Sequence, residues 1–446
     1  MFPNPQDALP HPPHPSIEQY RTLAKELVKA CRSGDRDAVG VWADRWVESL
    51  FRSLGQPPAG HGRQAMDRAA AQVEEFAVRK LKTNARTCVL ADAQFVIARS
   101  HGFHSWAKFV SHLDALAQAG TETAGFEAAA DAVVEGDEVA LGRLLGEQPA
   151  LITARSAREH RATLLHYVSA NGVEGYRQRT PPNVVEIARV LLAAGAEVDA
   201  EADVYGGGCT TLGLVATSAH PRDAGVQIPL LQLLLDKDAR IEHPNLAGND
   251  HGAVFACLAN GCHDAAVYLA GRGARLDLVG AAGIGRLDVV RGYFDQSGAP
   301  KPDTTRQQME SALRQSCGWG HADVAEYLLE RGADPDAGDV DGHTALHHAV
   351  YGGHLPVIEL LLAQGARPGA RSRYGDVVGA AAWRAAHGGE ADRYVAIIEA
   401  LVAAGAKVPE RHPPVNARVD AVLARHDSVA DPSRYWWGEE PRKRKS

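Results

Sequence analysis

The stretch Asp341-Gly342-His343-Thr344-Ala345-Leu346-His347-His348-Ala349 runs on through Gly353-His354 and closes with Leu361-Leu362-Ala363-Gln364-Gly365-Ala366. Val357, Ile358, Leu361 and Leu362 recur at spacings of three and four, which puts them on one buried stripe of a helix. Gly365 then supplies the left-handed backbone that stops it. The same Gly-Ala ending returns at Gly195-Ala196, Gly273-Ala274, Gly298-Ala299, Gly332-Ala333 and Gly405-Ala406, with Asp238-Ala239 in the same role. Taken with Gly365-Ala366 the separations are 43, 35, 25, 34, 33 and 40 residues. A period near 33, perturbed by insertions and one deletion, marks stacked helix pairs joined by turns. Val324, Tyr327 and Leu328 form the equivalent stripe in one unit, and Ile397, Ile398, Leu401 and Val402 in another.

The run Asp341 to Ala349 resembles the ankyrin repeat's D-G-x-T-P-L-H-x-A, with Ala345 where proline is usual. Gly353-His354 and the L-L-x-x-G-A ending match that family as well. Weaker copies read Thr163-Leu164-Leu165-His166, Thr210-Thr211-Leu212, Ala281-Ala282 with Gly285, and Gly320-His321 with Leu328-Leu329. The resemblance implies an all-α ankyrin-repeat solenoid, with an array of about seven or eight units over 121–408. It also implies that His347 ties its turn and that the turn tips and the exposed ends of the first helices form a concave face, which binds a protein partner and does no chemistry. Carried over by position, that face comprises Gln307, Gln308, Glu310 and Trp319 in one repeat, Val340, Asp341, His343 and Tyr351 in the next, and Arg373, Tyr374 and Asp376 in the last full one. Exposed Trp and Tyr beside Arg have the composition of interface anchors. The 25-residue unit ending at Gly298 is too short to carry a normal turn tip, so a gap in the face is expected there.

Outside the array, residues 1–15 are proline-rich and expected to be disordered, and 16–120 read as an N-terminal helical region with a degenerate repeat. Leu23, Leu27 and Ala30 form an apolar stripe, and Ala30-Cys31-Arg32-Ser33-Gly34-Asp35 resembles a degenerate ankyrin turn. The stretch from Ala91 to Trp106 reads as helix, turn, helix, with Phe95, Phe103 and Trp106 as core; it is similar to a segment preceding the repeats in many bacterial ankyrin proteins. That region is expected to cap the array. At the other end 409–426 is expected to be a capping helix with Asn416 at its start and Val419, Val422 and Leu423 on its covering face. Residues 427–446 are expected to be a mobile tail; the basic run Arg442-Lys443-Arg444-Lys445 after Trp436-Trp437 reads as a solvated end.

Composition narrows the function classes. The chain has 446 residues, which would suit about three ordinary domains were it not a repeat array. With 45% apolar and 23% charged residues it can build a core, and its net charge of -8 gives no basic field for nucleic acid or an anionic membrane. Without a signal-like run or an 18-residue apolar span, a cytoplasmic location is expected, and the chain is expected to be a monomer. Six scattered cysteines suit reduced thiols. Cys257, Cys262 and His263 lack a second ligand pair, and His343 and His347 need not share a helix face, so no metal and no cofactor is expected.

An alternative, an enzyme or small-ligand receptor, centres on two insertions at equivalent places in consecutive repeats. The first, 171–183, carries Tyr176, Arg177 and Arg179; the second, 218–229, carries His220, Arg222 and Asp223. Stacked repeats set equivalent loops side by side, so the two are expected to touch and form one surface. The run Tyr205-Gly206-Gly207-Gly208-Cys209 lacks the phosphate-loop lysine and reads as a repeat turn. Cys209, Ser218 and His220 could be assembled as nucleophile and base, but no nucleophile signature surrounds them.

Overall fold

The computed structural model of the chain describes residues 4–35, 37–54, 61–83, 88–118, 120–242 and 252–434. Helices dominate, and the strands among the described residues are six two-residue pieces: Glu201–Ala202 with Cys209–Thr210, Arg371–Ser372 with Gly375–Asp376, and Arg411–His412 with Val429–Ala430. The chain divides into two compact units, one of 1–248 with 260–268 and one of 249–259 with 269–446.

The second unit carries the regular repeats. Its helices include Leu278–Gly283, Leu287–Arg291, Arg306–Trp319, Ala322–Glu330, Ala345–Gly352, Leu355–Ala363, Val377–Ala386 and Ala391–Ala403. Val324, Leu328, Val357, Ile358, Leu361, Ile397, Ile398 and Leu401 lie in one continuous core, as their spacing requires. Histidines stitch successive repeats: the Nε2–H of His321 donates to the Gly283 carbonyl (3.2 Å) and that of His354 to Gly318 (3.1 Å). The short unit opens its first helix straight after Gly273-Ala274, with Asp277 capping Leu278–Gly283, and leaves no room for a projecting tip. At its end Asn416 accepts from the N–H of Arg418 and Val419, and Val419, Val422 and Leu423 of Ala417–Ala424 are buried in the same core.

The first unit departs further from the repeat pattern. Helices Ile17–Arg32, Ala38–Ser53, Leu90–Ser100 and Trp106–Leu116 enclose an aromatic core in which Phe103 and Phe109 are fully buried and Phe95 and Trp106 lie at the edge. Where a repeat's first helix is expected after Thr163, only a 3-10 turn forms, Leu164–Ser169, ending in a left-handed Ala170. Its N–H and hydroxyl at Thr163 are still tied by His166 Nδ1 (3.1 and 2.8 Å), the arrangement Thr344 makes with His347 (3.2 and 3.0 Å).

Two expectations at the ends need correction. Residues 4–12 are not disordered: Ala8 and Leu9 are buried, Leu9 N–H donates to Ser100 O (2.7 Å), and the His101 Nδ1–H donates back to Leu9 O (3.0 Å). Proline restricts the backbone there, and the apolar pair gives it something to bury. Nor is the tail mobile from 427: Val429–Ala430 pairs in parallel with Arg411–His412, and Ser428 Oγ reaches His412 Nδ1 (2.8 Å). Trp436-Trp437 and the basic run 442–445 lie outside the described residues.

Candidate functional site

The projecting tips of the second unit are built by short-range hydrogen bonding. Asp339 sits at the base of one tip and its carboxylate accepts from the N–H of Asp341 (2.9 Å) and of His343 (2.8 Å). The pull of His348, whose Nε2 is 3.8 Å away, leads in holding that carboxyl well below its usual range, and the two amides add to it. The next tip is the hairpin 371–376, joined to the first by the Arg373 N–H donating to Asp341 O (2.7 Å). Side chains then meet across the two tips: the His343 ring stacks on Tyr374 at 5.5 Å and 7°, Tyr351 meets His343 edge-on at 5.7 Å, and Arg373 lies over Tyr374 at 5.9 Å. Val340 is fully exposed at the apex, and Tyr374 is exposed as well.

Val340, Asp341, His343, Tyr351, Arg373, Tyr374 and Asp376 are thereby brought together. Asp376 is spent on structure, capping Val377–Ala386 through Gly379 N–H (2.8 Å). One repeat earlier, Gln307 is exposed, but Gln308 closes the capping box with Thr305 (2.8 Å) and Glu310 pairs with Arg306 (2.8 Å). Trp319 stands apart from these. It ends the helix in whose first turn Gln307 lies, about 18 Å from Gln307 along the axis at 1.5 Å per residue, and is half-buried beside the Gly320 turn. Sequence position alone grouped the two because both lie on a first helix.

His343 and His347 meet edge-on at 5.6 Å, and among the described residues no group of three or more His, Cys, Asp or Glu could hold a metal ion. Burial pushes the His347 imidazole down to about 4. Cys257 and Cys262 are both buried, and all six cysteines are free thiols. Burial raises Cys209 to about 11, far from a nucleophile's range.

The paired insertions do not form one surface. Asn171 touches the second repeat, its Nδ2–H reaching Leu214 O (3.3 Å) and Thr217 Oγ1 (3.4 Å). Beyond that the first insertion turns inward and the second outward. The Tyr176 hydroxyl accepts from the Arg158 guanidinium (3.1 Å), and Arg177, only 4% exposed, pairs with Glu127 (2.7 Å) and Asp131 (2.7 Å). Arg179 remains at the surface, 3.9 Å from Glu135. His220, Arg222 and Asp223 are exposed on the short helix Ala219–Asp223, where Arg222 donates to Gly261 O (2.9 Å) and pairs with Asp223 (2.8 Å).

The inward turn reveals a cluster that sequence reading missed. Arg158, 1% exposed, bridges Glu127 (2.6 Å) and Glu174 (2.9 Å), and Glu174 also faces His160 at 3.3 Å. Burial alone would raise the Glu127 carboxyl, but Arg158 and then Arg177 outweigh it and hold it at about 2. The members come from helix Glu122–Glu135 and from irregular loops, so no periodicity announces them; the signal was the density of charge at 158–160 and 174–177 in otherwise apolar repeats.

Residues 278–372 match the ankyrin-repeat family, described as ankyrin repeats in 3 copies. This stretch contains the Asp339–His343 tip and reaches into the next. No curated protein matches the chain. Ankyrin repeats generally serve as protein–protein interaction modules. No helix among the described residues is long and apolar enough to cross a membrane.

Proposed function

We propose that the second unit binds a protein partner on its tip surface and does no chemistry there. The observation that carries this reading is the His343–Tyr374 stack flanked by Arg373 and the exposed Val340. The His343 ring is held by Asp339 and by its stack on Tyr374, and the Arg373 backbone is fixed by its bond to Asp341 O, so little aromatic side-chain freedom is lost when a partner lands on them. Aromatic and Arg side chains are the groups that dominate interface energetics. The tip surface lies inside or next to the matched repeats, whose general role is protein interaction. The enzyme or receptor alternative loses its main support because Tyr176 and Arg177 serve the core.

The test is capture of a partner by the tagged full chain, compared with the double variant His343→Ala, Tyr374→Ala. Loss of a specific polypeptide at unchanged melting temperature is the expected result; retention of that polypeptide by the double variant would overturn the assignment.

A further inference from the structure

The first unit holds three imidazoles in contact and gives none of them a carboxylate of its own. His11 is carried by the N-terminal segment, His101 caps Leu90–Ser100, and His112 belongs to Trp106–Leu116. The His11 ring stacks on His101 at 4.7 Å and 18°, lies 5.4 Å from His112 and 5.8 Å from Phe109, and its Nδ1 is 3.4 Å from Tyr20 Oη.

We propose that residues 4–12 form a proton-released seal over the buried ion cluster, with acid expelling His11 from between His101, Phe109 and His112 while the helices beneath stay folded. The segment covers the cluster directly. Gln6 O lies 2.5 Å from where a Gly175 Cβ would stand, and Ala8 Cβ lies 3.5 Å from the same position on Gly102, whose other neighbour is the Arg158 side chain. Glycine at 175 makes room for the Gln6 carbonyl, which any Cβ there would meet too closely, whereas at Gly102 Ala8 and Arg158 pack at ordinary contact distance and it is the positive φ of +83° that favours glycine.

Proton placement explains the release. His101 Nδ1–H already donates to Leu9 O, so an added proton goes to Nε2, which is buried without a partner. His11 Nε2 and both ring nitrogens of His112 are likewise buried and unpartnered. The carboxylate nearest His112, Glu127 at 4.0 Å, is already claimed by Arg158 and Arg177, and Glu174 by Arg158 and His160. The Tyr20 phenol also faces His11, the Tyr176 phenol lies against Arg158, and Asp7 on the segment itself accepts from Gln72 (3.1 Å). An added proton on His11 or His112 therefore creates a charge near the Arg158 and Arg177 guanidiniums, and one on His101 a charge near Arg158, with only the neutral Tyr20 hydroxyl beside His11 Nδ1 to accept from it. Burial first, then the neighbouring imidazoles and arginines, pushes all three imidazoles down, His101 to about 3 and His112 to about 4. His11 is the ring that can leave. Its segment is held by the Leu9–Ser100 and His101–Leu9 bonds, by Gln72 on Asp7 and by Tyr205 on Gln6 (2.9 Å), whereas His112 is fixed within a helix and His101 at a helix's C-terminal cap.

The experiment is hydrogen exchange on the full chain at pH 7.5, 6.0, 5.0 and 4.0, corrected for intrinsic rates, with far-UV circular dichroism at each pH. The peptide covering 4–12 is expected to lose at least about tenfold in protection between pH 6.0 and 4.0 while the peptide covering 122–135 keeps its own. His11→Phe, a ring that takes no proton, should hold the segment protected over that range, and His112→Phe should shift its release to lower pH. Simultaneous loss in both peptides, or no loss in either, overturns the proposal from the unmodified chain alone; release of the His11→Phe segment at the same pH as the parent's overturns the role of His11.

Discussion

Single residues fix the architecture through backbone conformation and through buried charge. Gly365 has φ +87° and nothing within 4 Å of where a Cβ would stand, so Gly365→Val carries a backbone cost alone, about 1–2 kcal/mol. At Gly353, φ +74°, a Cβ would also stand 2.9 Å from Arg393 and 3.2 Å from the Tyr394 hydroxyl, so Gly353→Ala should cost more than the backbone penalty. Urea midpoints of the two variants check the order, and a Gly365→Val chain as stable as the parent would remove the assigned helix stop. Arg158→Ala is expected to be the most damaging single change in the first unit, about 3–5 kcal/mol, because it strands Glu127 and Glu174 without their cation. A loss under about 1 kcal/mol, the range of a surface pair, would show that the network is wet rather than buried. The glycine stops were legible because Gly-Ala recurs with the repeat. The arginine was not, because an ion pair between a helix and an irregular loop leaves no periodic trace.

Elements repeat where the residues that join them repeat. Asp336 accepts both the N–H (3.0 Å) and the Nε–H (2.8 Å) of Arg367, and Asp199 does the same for Arg240 (3.0 and 2.9 Å). Each aspartate lies four residues after its Gly-Ala glycine, and each arginine directly follows the next repeat's closing Gly-Ala or Asp-Ala. The staple thus links successive repeats in both units at equivalent places, although these arginines are exposed. Asp336→Ala should cost about 1 kcal/mol, chiefly through the backbone amide it leaves unpaired, and Arg367→Lys much less; chemical denaturation of the two variants separates these contributions. The amphipathic helices were legible from spacing, and their stripes became the core. The tip surface was legible only in part: Val340, His343, Tyr351, Arg373 and Tyr374 assemble, but Gln308, Glu310 and Asp376 are engaged in caps and pairs and Trp319 lies at the far end of its helix. A repeat motif gives a residue's position along the unit, whereas the end of the helix it occupies depends on helix length, which among the described helices of the second unit ranges from the 5 residues of Leu287–Arg291 to the 14 of Arg306–Trp319.

For the molecule as a whole, buried histidines couple stability to pH in one direction. Burial holds His101 at about 3 and His112, His166 and His347 at about 4, whereas the same imidazoles in an unfolded chain titrate near the ordinary value of 6.5. Below about pH 6.5 the unfolded chain therefore binds more protons, so stability is full above that pH and falls as pH drops toward 4 and 3. Glu127, held at about 2 against an ordinary 4.5, acts in the same sense, with its contribution lost between those values. Urea midpoints should be level from pH 8 to 7 and decline steadily from 6.5 to 4.5; a flat profile through pH 5 would mean that these imidazoles are solvated. The central claim concerns recognition: the exposed tips of the second unit, not the insertions of the first, bind a protein partner. Two variants, His343→Ala with Tyr374→Ala and His220→Ala with Arg222→Ala, change exposed or half-buried groups, so both should melt within a few degrees of the parent. The decisive measurement is partner affinity for these two at matched melting temperature. A loss of about 2 kcal/mol or more in the tip variant alone is predicted, and an undiminished affinity there with binding abolished in the insertion variant would contradict the account.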